Sequence, residues 1–481
     1  MNRSIARLFA LLAAGFLVLG VALGYWQVVA APDLEAHNDN RQAQQRDQTV
    51  DRGRILTADR IVVARSVPRR QGGQVTYLRG YPQGALAPQV VGYANPQVGS
   101  TGLEQSYNSY LRGSYGAEPL LVRLRLRTAH GADVHTTLNQ RVQAVANQQL
   151  LGRKGAVVAI EPSTGRVVAM ASSPGYDLAK VSNPTTWAEI SRNPESPLLN
   201  RATQGRYPPG STFKVVTLVA ALESDLGYTP ATRFDDTGSL ATSGPPITNF
   251  GGHRYGDHDL TQALTNSVST TFARIAMNLG GSRMGETMDA FGFGKTPPID
   301  LPESQVLASG RYDGRSRLPN IEDGADLARI GIGQEKLGVT PLQMAMVAST
   351  IANDCTLMRP YLVDSATDAN GAKVFEQTPR RLTQVCSTGT AQQVTDMMGN
   401  VVREGTGTQA ALEGLDVAGK TGTAETGTGG LNDAWFIGFA PKDDPKVAIA
   451  VVVENTPETG GQAAAPIARE VMKTAIARSG G

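Results

Sequence analysis

The chain has 481 residues, of which 41% are hydrophobic and 18% are charged. This length predicts roughly two to four domains with a large buried core, and the composition excludes a disordered chain and a multispanning membrane protein. The 45 basic residues nearly balance the 43 acidic ones, which argues against nucleic-acid binding. The 2 cysteines are too few for a disulfide-stapled scaffold, and no Cys/His cluster is typical of structural zinc. We predict no metal ion and no cofactor, so the function has to be inferred from motifs.

An apolar segment near the N-terminus is the first predicted element. Between Leu8 and Ala31 the only strongly polar side chain is Gln27, and a helix of this length can cross a hydrocarbon core of about 30 Å. Arg3 and Arg7 precede the segment, and acidic residues follow it. The positive-inside rule then predicts a single-pass anchor in the cytoplasmic membrane, with the N-terminus in the cytoplasm and the bulk of the chain outside. A cleaved signal peptide is the alternative.

The rest of the chain divides into two predicted domains. After a tail and anchor of residues 1–31, residues 32–137 contain short strand-like runs separated by Gly- and Pro-bearing turns, which predicts a small mixed domain. These runs are Arg54–Leu56, Ile61–Ala64 and Leu120–Leu126. In this domain we expect Glu104 to pair with an arginine such as Arg52. Residues 138–481 form the second domain.

The second domain is predicted to be α+β. Apolar runs with β-branched residues flank Pro162–Gly165 and again Pro441–Lys446, so a β-hairpin is expected near each end of the domain. Helices are predicted around and between the hairpins, at Leu138–Leu151, Ser211–Ala221, Thr261–Leu279, Pro341–Ala352 and Ala464–Ala477. This order is typical of one antiparallel sheet that is built from both ends of a domain, with helices packed on it.

The two cysteines lie at either end of an extended-looking stretch. Cys355 and Cys386 are 31 residues apart, and the chain between them can double back on itself. Outside the cytoplasm this makes a disulfide possible, and two buried thiols are the alternative.

Ser211 and Lys214 form a Ser-x-x-Lys pair at the start of a predicted buried helix. Residues three apart share a helix face, with about 5 to 6 Å between their Cβ atoms. Burial and the helix dipole shift such a lysine toward its neutral form, which can take the proton of a serine hydroxyl. The pair therefore predicts Ser211 as a nucleophile that needs no histidine.

Two further motifs strengthen this prediction. In the strand-like run that ends in Lys420, Thr421, Gly422 and Thr423, the lysine and the glycine face one side and the two threonines the other. The glycine allows another chain to approach, and the lysine and the threonine hydroxyls can bind a carboxylate. Between these motifs, at the head of a helical pattern, Ser267 offers a hydroxyl for proton transfer. The three motifs together predict a catalytic site.

In these motifs the chain resembles the penicillin-binding proteins, and most closely their class B, the membrane-anchored D,D-transpeptidases that cross-link peptidoglycan. Further matching segments are Arg52–Ile55, Gly102–Glu104, Leu199–Ala202, Gly331–Gly333, Thr340–Gln343 and Ala434–Gly438. The short N-terminal region is similar to that of the actinobacterial penicillin-binding protein A group and leaves no room for a class A glycosyltransferase domain. The resemblance implies the serine transpeptidase fold, an antiparallel five-stranded sheet with helices on both faces, and a smaller pedestal or dimerisation-type domain at the N-terminus.

The resemblance also implies the reaction. Ser211 attacks the carbonyl of the penultimate D-alanine of a stem peptide and expels the terminal D-alanine, and an amine of a neighbouring strand then takes the acyl group. Lys214 is the base for acylation, and Ser267 relays a proton to the leaving amine with Lys420 nearby. β-Lactams acylate the same serine.

Substrate binding is implied in the same way. Thr421 and Thr423, on either side of Gly422, bind the terminal carboxylate of the stem peptide. The backbone N–H groups of Ser211 and Thr423 form the oxyanion hole. A membrane-embedded glycan polymerase is an expected partner.

One residue departs from the family pattern. The middle motif of the family is Ser-x-Asn, and this chain has Ser269 in place of the asparagine. A serine hydroxyl is shorter than the amide and makes fewer hydrogen bonds, so we expect either that Ser269 acts together with a water molecule or that the activity is reduced. The alternative functions are a non-catalytic or weakly active penicillin-binding scaffold or sensor, and a serine β-lactamase.

Overall fold

The computed structural model describes residues 2–26, 50–71, 74–115, 130–242, 244–321, 324–426 and 430–479. The first element is the helix Asn2–Gly24, and its side chains from Arg3 onward are exposed. By length and composition this helix can cross a membrane, with a mean hydropathy of 2.3 over its most apolar part. Residues 27–31 of the predicted span lie outside the described ranges, as does the predicted strand Leu120–Leu126.

A central antiparallel sheet forms the core of the second domain, as predicted. Within the described residues it has five strands, in the spatial order Ala418–Glu425, Asn432–Ala440, Val447–Thr456, Gly155–Ile160 and Val167–Ser173. The two predicted hairpins are joined where Val447–Thr456 pairs with Gly155–Ile160, so both ends of the domain build one sheet. The strands are buried at nearly every position because helices cover both faces.

Alternate residues of each strand pack on opposite faces of this sheet. Val157 contacts a cluster with helices Gln140–Gln149 and Gly460–Ser479, whereas Val158 faces the opposite cluster with helix Pro341–Ala352. On that second face lie also helices Lys214–Leu222, Thr388–Arg403 and Ser269–Ala290. The α+β prediction with helices on both faces is confirmed.

The N-terminal domain contains a second sheet. In the described parts of the chain its six strands run in the order Lys373–Glu376, Val363–Thr367, Asp133–Thr136, Ile55–Leu56, Val62–Gln71 and Gln74–Gly80. Ile55–Leu56 and Asp133–Thr136 are parallel, and the other neighbours are antiparallel. Two of these strands come from beyond residue 137, so the sheet is shared between the two predicted domains.

The buried Glu104 carboxylate holds the start of this region together. It accepts hydrogen bonds from the guanidinium groups of Arg52 at 2.9 Å and Arg79 at 2.6 Å. The expected pairing of Glu104 with Arg52 is confirmed.

The predicted helix Thr261–Leu279 is wrong in one respect, because the structure has two helices there. Leu260–Thr265 ends before Ser267, and a new helix begins at Ser269; the helical segment Ser269–Ala290 is itself kinked at Gly280, whose φ of +75° is not helical. Ser267 lies between them in the left-handed region, with φ of +60°. The apolar period continues across this break, so the pattern alone does not reveal it.

The stretch between the cysteines doubles back as expected. Thr356–Met358 pairs with Arg381–Gln384, and the structure joins Cys355 and Cys386 in a disulfide whose Cα atoms are 5.2 Å apart.

The shorter helices are Pro88–Val91, Gly102–Ser106, Asn108–Leu111, Pro184–Arg192, Arg201–Gln204 and Leu327–Ile330, with 3₁₀ turns at Leu178–Lys180, Gly210–Phe213, Phe250–Gly252, Glu303–Gln305 and Thr408–Ala410. The small ladders join Ala94–Asn95 to Gly99–Ser100, Arg233–Asp236 to Gly256–Asp259, Ser239–Leu240 to Ile247–Thr248, and Gly310–Asp313 to Ser316–Arg317 and Leu337–Gly338.

Candidate active site

Ser211 lies on a tight turn at the entrance to a buried helix. The 3₁₀ turn Gly210–Phe213 leads directly into the helix Lys214–Leu222. Gly210 adopts φ of +50°, which favours glycine, and its N–H donates to the carbonyl of Gly333 at 3.0 Å. Ser211 is half-buried and Lys214 is fully buried, so the accessible member of the pair is the serine at the start of the helix.

The ammonium group of Lys214 reaches the middle motif. Its Nζ lies 2.7 Å from the carbonyl oxygen of Ser267, 3.2 Å from the Ser267 hydroxyl and 3.1 Å from the Ser269 hydroxyl. The serine that replaces the family asparagine therefore contacts the predicted base directly. This contact needs the break between the two helices, because that break turns both hydroxyls toward Lys214.

Lys420 approaches the same hydroxyl from the sheet. Its Nζ donates to Ser267 Oγ at 2.9 Å and to the carbonyl of Thr421 at 3.0 Å. The Ser267 hydroxyl thus lies between two buried lysines that are 206 residues apart in the chain. It has the position of a group that can pass a proton between them.

Burial makes both lysines unusually acidic. Loss of solvation lowers the pKa of Lys214 well below its usual value of 10.5, and the neighbouring Lys420 lowers it further. Burial also lowers the pKa of Lys420 to about 7. At neutral pH a large fraction of the molecules therefore has a neutral lysine in the site, and the neutral amine is the form that can act as a base.

Gly422 allows the Lys420 strand to pack closely against the nucleophile turn. A Cβ atom at this position would lie 2.8 Å from the carbonyl oxygen of Pro209 and 2.9 Å from Thr212 Cγ2. Any larger residue must therefore push the strand away from the turn that carries Ser211. The expected role of the glycine in a close approach agrees with this geometry.

The two threonines of the strand already have hydrogen-bond partners. Thr421 Oγ1 is 2.6 Å from Thr406 Oγ1, and Thr423 Oγ1 accepts the N–H of Gly460 at 3.2 Å. We did not predict Thr406 from the sequence, and the Glu-Gly-Thr-Gly turn that holds it signals only a loop. The hydroxyl pair of Thr406 and Thr421 lies at the same end of the site as the helix start at Gly460.

Comparison with known proteins identifies the same architecture. Residues 155–473 match the family model of the penicillin binding protein transpeptidase domain, and residues 52–133 match the penicillin binding protein A dimerisation domain. The chain is 36% identical to the peptidoglycan D,D-transpeptidase PbpA of Mycolicibacterium smegmatis over 505 aligned residues, covering 99% of each chain.

Solved structures agree with this comparison. The ceftriaxone acyl-enzyme complex of penicillin-binding protein A from M. tuberculosis superposes with a TM-score of 0.81 at 33% identity, covering 90% of this chain and 99% of the other. A D,D-transpeptidase domain from Eggerthella lenta superposes with a TM-score of 0.79 at 38% identity, with coverage of 90% and 99%. This chain belongs to the penicillin-binding protein transpeptidase family.

Proposed function

We propose that this protein is a serine-type peptidoglycan D,D-transpeptidase that is also acylated by β-lactams. The observation that carries the proposal is the Ser267 hydroxyl, which lies 3.2 Å from Lys214 Nζ and 2.9 Å from Lys420 Nζ. Two lysines of lowered pKa around one hydroxyl form a route for the protons that acyl transfer must move. Relatives named as D,D-transpeptidases and neighbours solved as acyl-enzymes support the same function.

In the acylation step the neutral Lys214 amine accepts the proton of the Ser211 hydroxyl. The Ser211 oxygen attacks the carbonyl carbon of the penultimate D-alanine, and the backbone N–H groups of Ser211 and Thr423 stabilise the oxyanion. The C–N bond then breaks, and the proton passes through Ser267 to the departing amine of the terminal D-alanine. Thr421 and Thr423 bind the carboxylate of that residue, and the Lys420 charge attracts it.

In the second step an amine of a neighbouring strand attacks the Ser211 ester. The same groups then work in reverse: the attacking amine gives up a proton through Ser267 to Lys214, and Lys214 passes a proton to the Ser211 oxygen as the ester C–O bond breaks and the new amide forms. A β-lactam follows the first step only, because its opened ring stays attached and its amine does not leave. The contact of Ser269 with Lys214 supports the catalytic function over a non-catalytic scaffold or sensor.

The placement in the cell is part of the proposal. The helix Asn2–Gly24 anchors the chain in the cytoplasmic membrane, with the N-terminus in the cytoplasm because Arg3 and Arg7 lie at that end.

The proposed boundary between the two domains is at residue 137, which lies between the two family matches. A membrane-embedded glycan polymerase that supplies the uncross-linked strands acts beside the anchor and the N-terminal domain.

The test is covalent labelling of the full-length chain with fluorescent penicillin, beside a Ser211→Ala variant. Stable labelling that the variant loses is the expected result. Labelling that decays within minutes supports a serine β-lactamase, and a folded protein that takes no label supports the scaffold or sensor. Intact mass distinguishes these outcomes, because the acyl-enzyme carries the added mass of the whole drug.

A further inference from the structure

The helix that begins at Ser269 has no side-chain cap of its own. The side chain of Val268, which precedes it, cannot accept a hydrogen bond, so the first backbone N–H groups of the helix need an acceptor from elsewhere in the chain. Asn249 supplies that acceptor. Its Oδ1 accepts the N–H of Ser269 at 2.9 Å and the N–H of Thr270 at 3.1 Å.

Asn249 is in turn held by Asp236. The amide Nδ2 of Asn249 donates to Asp236 Oδ2 at 2.8 Å, and the Thr270 hydroxyl donates to Asp236 Oδ1 at 2.6 Å. The backbone N–H groups of Gly238 and Tyr255 donate to the same carboxylate at 3.0 and 2.9 Å. Asp236 and Asn249 are only 4% and 3% exposed, so these hydrogen bonds are shielded from competing water.

The Asp236 carboxylate is charged at neutral pH. Burial by itself raises its pKa, but the hydrogen bonds from Thr270, Tyr255, Gly238 and Asn249 outweigh burial and hold the pKa below its usual value. A negative charge beside the first turn of a helix also interacts favourably with the helix dipole. The charged Asp236 carboxylate therefore holds Asn249 in place. Through Asn249 the network reaches Ser269, whose hydroxyl contacts Lys214.

We propose that Asn249, held by Asp236, is a positioning residue for acylation: it fixes the backbone at Ser269 and so keeps the Ser269 hydroxyl in contact with Lys214. This inference rests on the proposed transpeptidase function and adds a residue to it. Asn249 acts through the middle motif and not by contact with the substrate or with Ser211.

The short side chain at position 269 makes such support necessary. A serine hydroxyl is one bond from Cβ, so it cannot follow Lys214 if the backbone moves, whereas the longer amide of the family motif has a second rotatable bond. Ser267, two residues earlier, holds φ of +60°, a conformation that is strained for a residue other than glycine. A displacement of about 1 Å at a catalytic contact can cost about 100-fold in rate.

The test measures acylation of the full-length chain by fluorescent penicillin at increasing concentration, which separates the non-covalent dissociation constant from the acylation rate constant. In Asn249→Ala we expect the rate constant to fall by about 10- to 100-fold, with the dissociation constant unchanged. The matched control is Asn183→Ala. Asn183 caps the exposed helix Pro184–Arg192 in the same way, through the N–H groups of Thr185 and Thr186 at 3.0 and 3.1 Å, and its loss should leave both constants unchanged.

A double variant shows whether Asn249 acts through Ser269. When Asn249→Ala is combined with Ser269→Ala, the loss should be no larger than that of the more damaging single change, because both remove the same contact. Losses that multiply in full would overturn the inference. If Asn249→Ala does not fold, Thr270→Val keeps the volume and removes one donor to Asp236, and a smaller fall in the same rate constant is expected.

The two proposals fail in different ways. A folded parent chain that takes no label overturns the proposed function. A parent that is labelled, beside a folded Asn249→Ala or Thr270→Val variant that is labelled just as fast, overturns only the role of Asn249.

Discussion

The contact between Ser269 and Lys214 is the point at which the candidate active site differs from the family motif. The hydroxyl of Ser269 lies 3.1 Å from Lys214 Nζ, so it makes the contact with the proposed base that the family asparagine is expected to make. It cannot also extend toward the backbone of a substrate, because the serine oxygen is bonded directly to Cβ and the side chain is short. We therefore expect the lysine contact to be retained at this position and part of the substrate contact to be lost.

Substitutions at position 269 test this division. Ser269→Ala removes a hydrogen bond to a lysine, which is worth about 1.5 to 3 kcal/mol, so the acylation rate constant should fall by about 10- to 100-fold. Ser269→Asn restores the amide and should at least retain the parent rate. The rates are measured with fluorescent penicillin. A Ser269→Ala variant as fast as the parent would show that the contact has no role in acylation.

The charge of Lys420 adds to burial in lowering the pKa of Lys214 and so contributes to the pH dependence of the site. Lys420→Met removes a positive charge that lowers the pKa of Lys214, so the pKa of Lys214 should rise. Because only neutral Lys214 accepts the proton, the acid limb of acylation rate against pH should move to higher pH, and the maximal rate should fall with the lost contact to Ser267.

A surface lysine provides the control for this pH profile. Lys442 pairs with Asp396 at 3.1 Å, and Lys442→Met should leave the acid limb where it is in the parent. The pH profiles of the acylation rate constant are compared between pH 5 and 9. An acid limb that does not move in Lys420→Met would contradict the electrostatic coupling of the two lysines.

At the scale of elements, the site is made where the strand Ala418–Glu425 packs against the turn before helix Lys214–Leu222. This packing depends on Gly422, since a Cβ atom there would meet backbone oxygen at 2.8 Å. The strand brings Lys420 to Ser267, and the turn presents Ser211. The spacing between the two elements therefore controls the geometry of the reaction.

Gly422→Ala should separate these elements by a few tenths of an ångström or more. We expect the acylation rate constant to fall by about 100-fold, while far-ultraviolet circular dichroism remains that of the parent. Gly389→Ala is the matched control, because among the described residues its new methyl group would have only Ser387 Oγ nearby, at 3.9 Å. A Gly422→Ala variant that acylates like the Gly389→Ala control would mean that the close approach is not needed.

The disulfide between Cys355 and Cys386 also links secondary-structure elements. It closes a stretch of 31 residues between helices Pro341–Ala352 and Thr388–Arg403. Replacing both cysteines by alanine should lower the free energy of unfolding by about 3 kcal/mol, measured by urea denaturation. Intact mass under alkylation checks the bond in the parent, and alkylation of both cysteines without reductant would rule it out.

At the scale of the whole molecule, the N-terminal sheet joins the two predicted domains. Val363–Thr367 pairs with Asp133–Thr136, and Ala366 opposite Val134 is fully buried there. Phe375, from the neighbouring strand, packs against the rings of Tyr107 and Tyr110 at 5.7 and 5.6 Å. Separating the two predicted domains would therefore divide this sheet and should lower the stability of each part.

A chain that begins at residue 138 should be less stable than one that begins at residue 50. Without Asp133–Thr136, the strand Val363–Thr367 becomes an open edge and exposes apolar side chains, which favours aggregation. Melting temperature and light scattering compare the two fragments, and the fragment from residue 50 is the control for loss of the anchor helix alone. Equal melting temperatures would mean that the shared sheet contributes little to stability.

Much of this architecture follows from local patterns. The β-branched runs around Pro162–Gly165 and Pro441–Lys446 predicted the two hairpins, and the apolar run after Ser211 predicted the buried helix that the structure has at Lys214–Leu222. The family resemblance predicted the sheet with helices on both faces. These features depend on neighbours in the chain or on motifs, so they can be read from the sequence.

The break at Ser267 and the roles of Asn249 and Asp236 could not be predicted in this way. The apolar period runs through Thr261–Leu279 without a glycine or proline at the break, so nothing local indicates a change of direction. Asn249 lies in a polar loop that reads only as a turn. Its importance comes from a hydrogen bond to a helix that starts 20 residues later.

The sequence alone predicted the candidate catalytic residues and determined which periodic segments form strands and most of the helices, because these depend on side-chain type and on spacing of a few residues. The tertiary structure decided how the Ser267 hydroxyl comes to lie between Lys214 and Lys420, and that residues 363–376 complete the N-terminal sheet. Both contacts join residues far apart in the chain. Their geometry follows from the packing of whole elements, which no local spacing specifies.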